Sequence, residues 1–149
     1  MDVKADGTAV VREVLVDAQP ETIFSFFTDP QKMVRWKGMN AKLDARPGGL
    51  YSVDVTQQAL ARGEYVEIDP PRRVVFTFGW EGAPVAPGSS TVEIDLIPEG
   101  SKTLVRLTHR GLPNDAERAS HADGWEHYLS RLAIAATGGD PGPDKNLQQ

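Results

Sequence analysis

Between residues 41 and 110, glycine and proline divide the chain into six short β-type runs, and a single long helical period follows at 115–137. That order constrains the fold more than any other feature, because one helix has to cover a whole sheet. The runs fall at about 41–45, 50–57, 61–69, 73–80, 91–98 and 103–110, separated by Pro47-Gly48-Gly49, Pro70-Pro71, the stretch 82–90 and Glu99-Gly100. Such runs between turn residues mark antiparallel strands joined by tight connections. In the fifth run Val92, Ile94 and Leu96 alternate with Thr91, Glu93 and Asp95, so one sheet face is wet and the other needs an apolar cover. The segment 115–137 supplies it: Ala122, Trp125, Leu129, Leu132 and Ala136 recur at spacings of three and four, while Asp123, Glu126 and Arg131 fall elsewhere on the wheel. Asn114 with Glu117 has capping-box spacing, and Gly138-Gly139 supplies a stop.

Ahead of the sheet, AVVREVLV at 9–16 reads as a strand with Val10, Val14 and Val16 on one face, Val11 and Leu15 on the other, and both faces partly covered. Pro20 and Glu21 open a helix running to Thr28, and Asp29-Pro30 repeats the start signal for a second short helix over 30–35. The expected fold is α+β, one domain over residues 1–137, with 138–149 a flexible tail that has no apolar anchor. A sheet of six or seven strands curves around the last helix, but a helix about 10 Å wide does not fill the concave side. A pocket is therefore expected, lined by Phe27, Trp36, Tyr51, Val53, Tyr65, Phe76, Phe78, Trp80, Val92, Ile94, Leu107, His109, Trp125, Tyr128 and Leu129. Each of these also reads as plain core packing. The stretch 82–90, GAPVAPGSS, reads as a mobile rim that gates the pocket or as an inert connection.

Several function classes drop out. With no cysteine in 149 residues, disulfides, thiolate metal sites and cysteine nucleophiles are excluded, which favours a reducing compartment. The chain shows neither a secretory leader pattern nor an apolar run of membrane-spanning length, so a cytoplasmic location without membrane insertion is expected. The net charge of −5 and scattered basic residues argue against nucleic acid, and Arg72-Arg73 beside Pro70-Pro71 reads as a solvated turn. His121 and His127 stand six apart, where two helical ligands to one metal need three or four, and no phosphate, dinucleotide or serine-elbow motif occurs. No metal and no cofactor are expected. His109 shares a strand face with Val105 and Leu107 and is the candidate catalytic base, against the reading of a neutral buried histidine with structural partners. Glu64 and Arg106 are strand charges that read as inward acid or base, or as residues of the wet face.

Asp17-Ala18, Thr28-Asp29-Pro30, Trp36, Pro47-Gly48-Gly49, Gly63-Glu64-Tyr65, the run Pro70-Pro71-Arg72-Arg73-Val74-Val75-Phe76-Thr77, the segment from Thr103 to His109, and Gly124-Trp125 with Tyr128-Leu129 stand in an order that resembles the SRPBCC, or helix-grip, superfamily. Within it the chain resembles the heat-shock-protein-90 ATPase-activator-like group, whose relatives include polyketide cyclases and lipid-binding START domains. The resemblance implies a β-α-α-β6-α order and a deep cavity under the last helix. It leaves three functions open: binding of a small hydrophobic or aromatic ligand of lipid or polyketide type, a small cyclase or hydrolase in the same cavity, or an interaction module for a chaperone partner. An unpaired edge strand would allow a homodimer.

Overall fold

The computed structural model describes residues 9–142 and Asp144. The first eight residues of the expected domain, and 143 and 145–149 of the expected tail, lie outside the described residues. The order of elements is β1 (Val10–Val16), α1 (Pro20–Thr28), α2 (Pro30–Met33), β2 (Asn40–Leu43), β3 (Leu50–Asp54), β4 (Leu60–Asp69), β5 (Arg73–Phe78), β6 (Ser90–Glu99), β7 (Lys102–Arg110) and α3 (Asp115–Ala136). The strands form one antiparallel sheet in the order β1-β7-β6-β5-β4-β3-β2. The two short helices therefore carry the chain from one sheet edge to the other, and the six later strands return as a meander until β7 meets β1. No helix among the described residues is long and apolar enough to cross a membrane.

Local chemistry places the elements. Pro20 opens α1, which buries Ile23, Phe26 and Phe27, and the Asp29 carboxylate caps α2 by accepting from the Gln31 N–H at 2.9 Å. The second helix stops at Met33, short of 35, because the chain turns inward to bury Trp36, whose indole N–H donates to the Phe26 carbonyl at 3.0 Å. The third strand ends at Asp54 rather than 57, because the Thr56 hydroxyl accepts from the N–H groups of Gln58 and Ala59 and folds the chain over. Asn114 caps α3 by accepting from Glu117 N–H at 2.9 Å. The helix ends on Gly138 at φ +88°, with Gly139 N–H reaching back to the Ile134 carbonyl.

Two expectations fail on the outer face. Val11 and Leu15 are 45% and 48% exposed, not covered, because β1 is an edge strand and α3 packs only on its other side. Arg73 is no solvated turn residue. It sits at the start of β5 and pairs with Asp95 at 2.7 Å, with Glu67 and with Glu93, which also receives Arg110. Arg106 and Glu13 form another ion pair there, and Glu64 is exposed. These are residues of the wet face.

On the concave side the aromatic rings fill the centre. Tyr51 stacks on Phe76 with centroids 4.1 Å apart, Tyr65 meets both edge-on, and the Tyr65 hydroxyl donates to the Phe27 carbonyl at 2.8 Å. That bond ties β4 to α1 across the core. Tyr65→Phe leaves the carbonyl buried without its donor, and urea unfolding should show a loss of about 1–3 kcal/mol with the fold unchanged. A loss below 0.5 kcal/mol would mean that the tie contributes nothing measurable.

Candidate functional site

Space remains at one end of the concave side, as a cleft of about 580 Å³. Its walls are the first half of α3, the turn after β3 with Val55, Thr56 and Ala59, and the loop after β5 with Ala83, Pro84 and Val85. That loop is tied to the domain at Val85. Val85 is buried with Val10 and Leu112, and the Trp80 N–H donates to the Val85 carbonyl at 2.7 Å. Gly79 permits the approach, since a Cβ there would lie 1.7 Å from the Ala86 carbonyl oxygen. Phe78, Trp80, Trp125 and Tyr128 supply aromatic surface to the cleft, and Glu117, Ser120, His121, Asp123 and His127 supply polar groups.

Lys37 lies among these rings and lines the cleft. Its backbone is fixed from three sides. Its N–H bonds the Met33 carbonyl, Arg131 of α3 donates to the preceding Trp36 carbonyl at 3.0 Å, and Gly38 follows at φ +95°. A Cβ at Gly38 would sit 2.8 Å from Val53 Cγ1, so the sharp exit belongs to glycine. The side chain is 3% exposed, with Nζ 4.8 Å from the Trp125 ring centroid, 5.1 Å from Phe78, 5.8 Å from Trp80 and 5.9 Å from Tyr128. Nζ has no hydrogen-bond partner among the described residues. Burial lowers the lysine pKa to about 7, and the ring faces offset part of the cost of the charge.

His109 behaves differently. It is fully buried behind Trp125, does not line the cleft, and uses both ring nitrogens. The Trp125 indole N–H donates to Nδ1 at 3.0 Å, so the ring proton sits on Nε2 and is donated to Ser90 Oγ at 2.8 Å. The Ser90 hydroxyl in turn donates to the Phe78 carbonyl at 2.7 Å. Burial, helped by the neighbouring His121 and Lys37, lowers the His109 pKa to about 3. His121 is likewise engaged: its Nε2 accepts from the Trp80 indole at 3.0 Å, so its Nδ1–H donates to the Glu117 carbonyl at 2.8 Å. Asp144, buried beside α3, accepts from the Tyr128 hydroxyl at 2.6 Å and meets His127 Nε2 at 2.9 Å. Among the described residues no three His, Cys, Asp or Glu side chains form a metal-holding group.

Of the expected lining residues, Phe78, Trp80, Trp125 and Tyr128 meet at the cleft. Phe27, Trp36, Tyr51, Val53, Tyr65, Phe76, Val92, Ile94, Leu107 and Leu129 lie in the packed core instead. Periodicity identifies a buried face but does not say which buried residue borders a void. Lys37 and His121 were not anticipated as site residues. The only available signal for Lys37 was a lone cation between Trp36 and Gly38 at the end of a helix signal.

A curved antiparallel sheet gripping one long terminal helix, with two short helices after the first strand and a cleft at the helix's N-terminal half, defines a helix-grip domain of the SRPBCC type. The chain belongs to the family described as AHSA1, Activator of Hsp90 ATPase homolog 1-like protein, whose model matches residues 17–137. An AHSA1-like protein from Rhizobium etli is 50% identical over 91% of this chain and 86% of its own, with a TM-score of 0.74. CalU16 from Micromonospora echinospora is 30% identical over 91% of this chain and 69% of its own, also at 0.74. An HSP90 activator from Plasmodium falciparum, 24% identical over 86% of this chain and 95% of its own at a TM-score of 0.73, shares the fold. A search of the curated proteins found no match.

The two buried bases make stability depend on pH in a defined direction. Both have folded pKa values below their unfolded ones, so the unfolded chain binds more protons and stability rises with pH across each interval. For His109 that interval is about 3 to 6.5, and for Lys37 about 7 to 10.5. In urea titrations from pH 7 to 9.5, Lys37→Met should be more stable than the parent at pH 7 and should lose a slope approaching ~1.4 kcal/mol per pH unit. An unchanged slope would show that Lys37 is not held in a lowered-pKa environment.

Proposed function

We propose that the protein binds a small hydrophobic or aromatic organic molecule, of lipid or polyketide type, in the cleft between the sheet and the first half of α3. One observation carries the reading: an opening of about 580 Å³ faced by four aromatic rings, beside a core in which Tyr51, Tyr65 and Phe76 pack on one another. A volume of that order suits a drug-sized ligand, whose apolar body the aromatic walls would hold while polar groups such as His121 and Lys37 border the same opening. His109 has neither a free lone pair nor a spare proton for a substrate. We therefore give it the role of holding Trp125 in the cleft wall, and we place no cyclase or hydrolase step on it.

A second reading, a chaperone-directed interaction, is supported by the family's description and by the fold shared with the Plasmodium HSP90 activator. It would use the outer surface, where Val11 and Leu15 are exposed, and it leaves the cleft without a role.

Gly124 offers a clean test, because it faces the cleft from within α3 and a Cβ there would meet nothing within 4 Å. Gly124→Ala should stabilise the protein by roughly 0.5–1 kcal/mol through helix propensity alone. Gly124→Leu should place its larger side chain in the opening. In a thermal-shift screen of lipids and polycyclic aromatics, some compounds should raise the melting temperature of the parent and fail to raise that of Gly124→Leu. If no compound stabilises the parent, or if Gly124→Leu responds equally, the cleft is not a ligand site.

A further inference from the structure

We propose that Lys37 selects ligands bearing an acidic oxygen, a carboxylate or an ionised phenol or enol, so that the cleft is a site for small aromatic acids rather than for neutral apolar molecules. This rests on the reading of the cleft as a ligand site and names the chemistry of its occupant.

The geometry carries the inference. A lysine ammonium has three donors and no acceptor. Here Nζ stands over four ring faces, which attract its charge but provide none of the oxygen acceptors those donors need. The polar groups around it are committed elsewhere. From β7, His109 spends both nitrogens on Trp125 and Ser90, and from α3, His121 spends both on Trp80 and the Glu117 backbone. The Tyr128 hydroxyl is turned to Asp144, which also takes His127. Glu117 and Asp123 line the cleft, yet neither bonds Nζ. An oxygen on the ligand is therefore the missing partner. An anionic oxygen fits best, because a charge-assisted bond is about twice as strong as a neutral one and restores the charge that burial disfavours. The rings shield Nζ, so the ligand oxygen reaches it through rotation of the four-carbon stem while the aromatic body occupies the cleft beside Trp80 and Trp125.

A proton linkage follows. Lys37 titrates near pH 7 in the free protein, and the anion binds its protonated form, so binding takes up a proton at higher pH. Affinity for a carboxylate should fall by about tenfold per pH unit above that point, while affinity for the matching amide stays flat.

The experiment compares 2-naphthoate with 2-naphthamide, and anthracene-2-carboxylate with its amide, by isothermal titration calorimetry at pH 6, 8 and 9 in buffers of differing ionisation enthalpy. Both acids stay ionised throughout, as carboxylic acids ionise near pH 4. The acid should bind about a hundredfold tighter than its amide at pH 6, lose nearly all of that preference by pH 9, and take up most of one proton per ligand at pH 8. Lys37→Met and Lys37→Gln, each checked for an unchanged fold by circular dichroism, should still bind the amides and should lose both the acid preference and the proton uptake. Lys32→Gln, outside the cleft, should keep both, which separates Lys37 from a general loss of positive charge. Amide binding without an acid preference, or a preference that survives in Lys37→Met, overturns the role of Lys37 and leaves the ligand reading standing. If the parent binds neither acid nor amide, both readings fail together.

Discussion

One buried hydrogen-bond chain joins the helix to the sheet, and the position of the cleft depends on it. The Trp125 indole donates to His109, His109 donates to Ser90, and Ser90 donates to the Phe78 carbonyl, so α3, β7, β6 and β5 are linked in sequence through neutral groups. Every member is satisfied, and buried networks favour a single arrangement only when that condition holds. Trp125 and Phe78 are also two of the four rings facing Lys37. The network that locks the helix to the sheet therefore fixes the back wall of the opening as well.

Lys37 breaks the rule that His109 obeys. Both are buried bases within one cluster of rings, and burial lowers the pKa of each, but one has its hydrogen bonds completed by the protein and the other does not. An unpartnered ammonium costs stability, and a methionine of similar length would avoid the cost. The surrounding residues hold the lysine firmly all the same. Arg131 grips the carbonyl just before it, and Gly38 turns the chain just after it. Local structure thus presents one uncompensated charge at the edge of the cleft that the aromatic rings face.

Fold and site were legible in the sequence to different degrees, for a physical reason. Strands, helices and caps depend on periodicity and on local chemistry such as Asp29-Pro30, Asn114 and Gly138, and all of these operate over a few residues. The outer face of β1 was misread because periodicity shows that Val11 and Leu15 share a face but not that the strand ends up at a sheet edge with nothing above it. The cleft was legible only at Phe78, Trp80, Trp125 and Tyr128. Tyr51, Tyr65 and Phe76 have the same pattern, and they fill the centre because three large rings from adjacent strands pack against one another there, one pair stacked and the third edge-on. Whether a ring packs or lines a void is decided by volumes summed over distant segments. Lys37 was illegible for a related reason: its environment comes from Phe78 of β5, from Trp80 just beyond that strand and from a helix some ninety residues away, and no local pattern records that meeting.

Curvature explains why the space opens at one end instead of in the middle. The centre of the concave face is supplied by β3, β4 and β5, whose inward residues are Tyr51, Tyr65 and Phe76, and α1 closes over them through the Tyr65 bond to Phe27. Towards the N-terminal half of α3 the inward positions shrink to Val55, Ala59, Ala83 and Gly124. Small side chains on three separate segments cannot reach one another across a gap set by Trp80 and Trp125. The void is therefore produced by the placement of small residues opposite large rigid ones, and a larger side chain at Gly124 would obstruct part of it. The ordinary packing rules that close the core elsewhere leave this end open, with the unpartnered ammonium of Lys37 beside it.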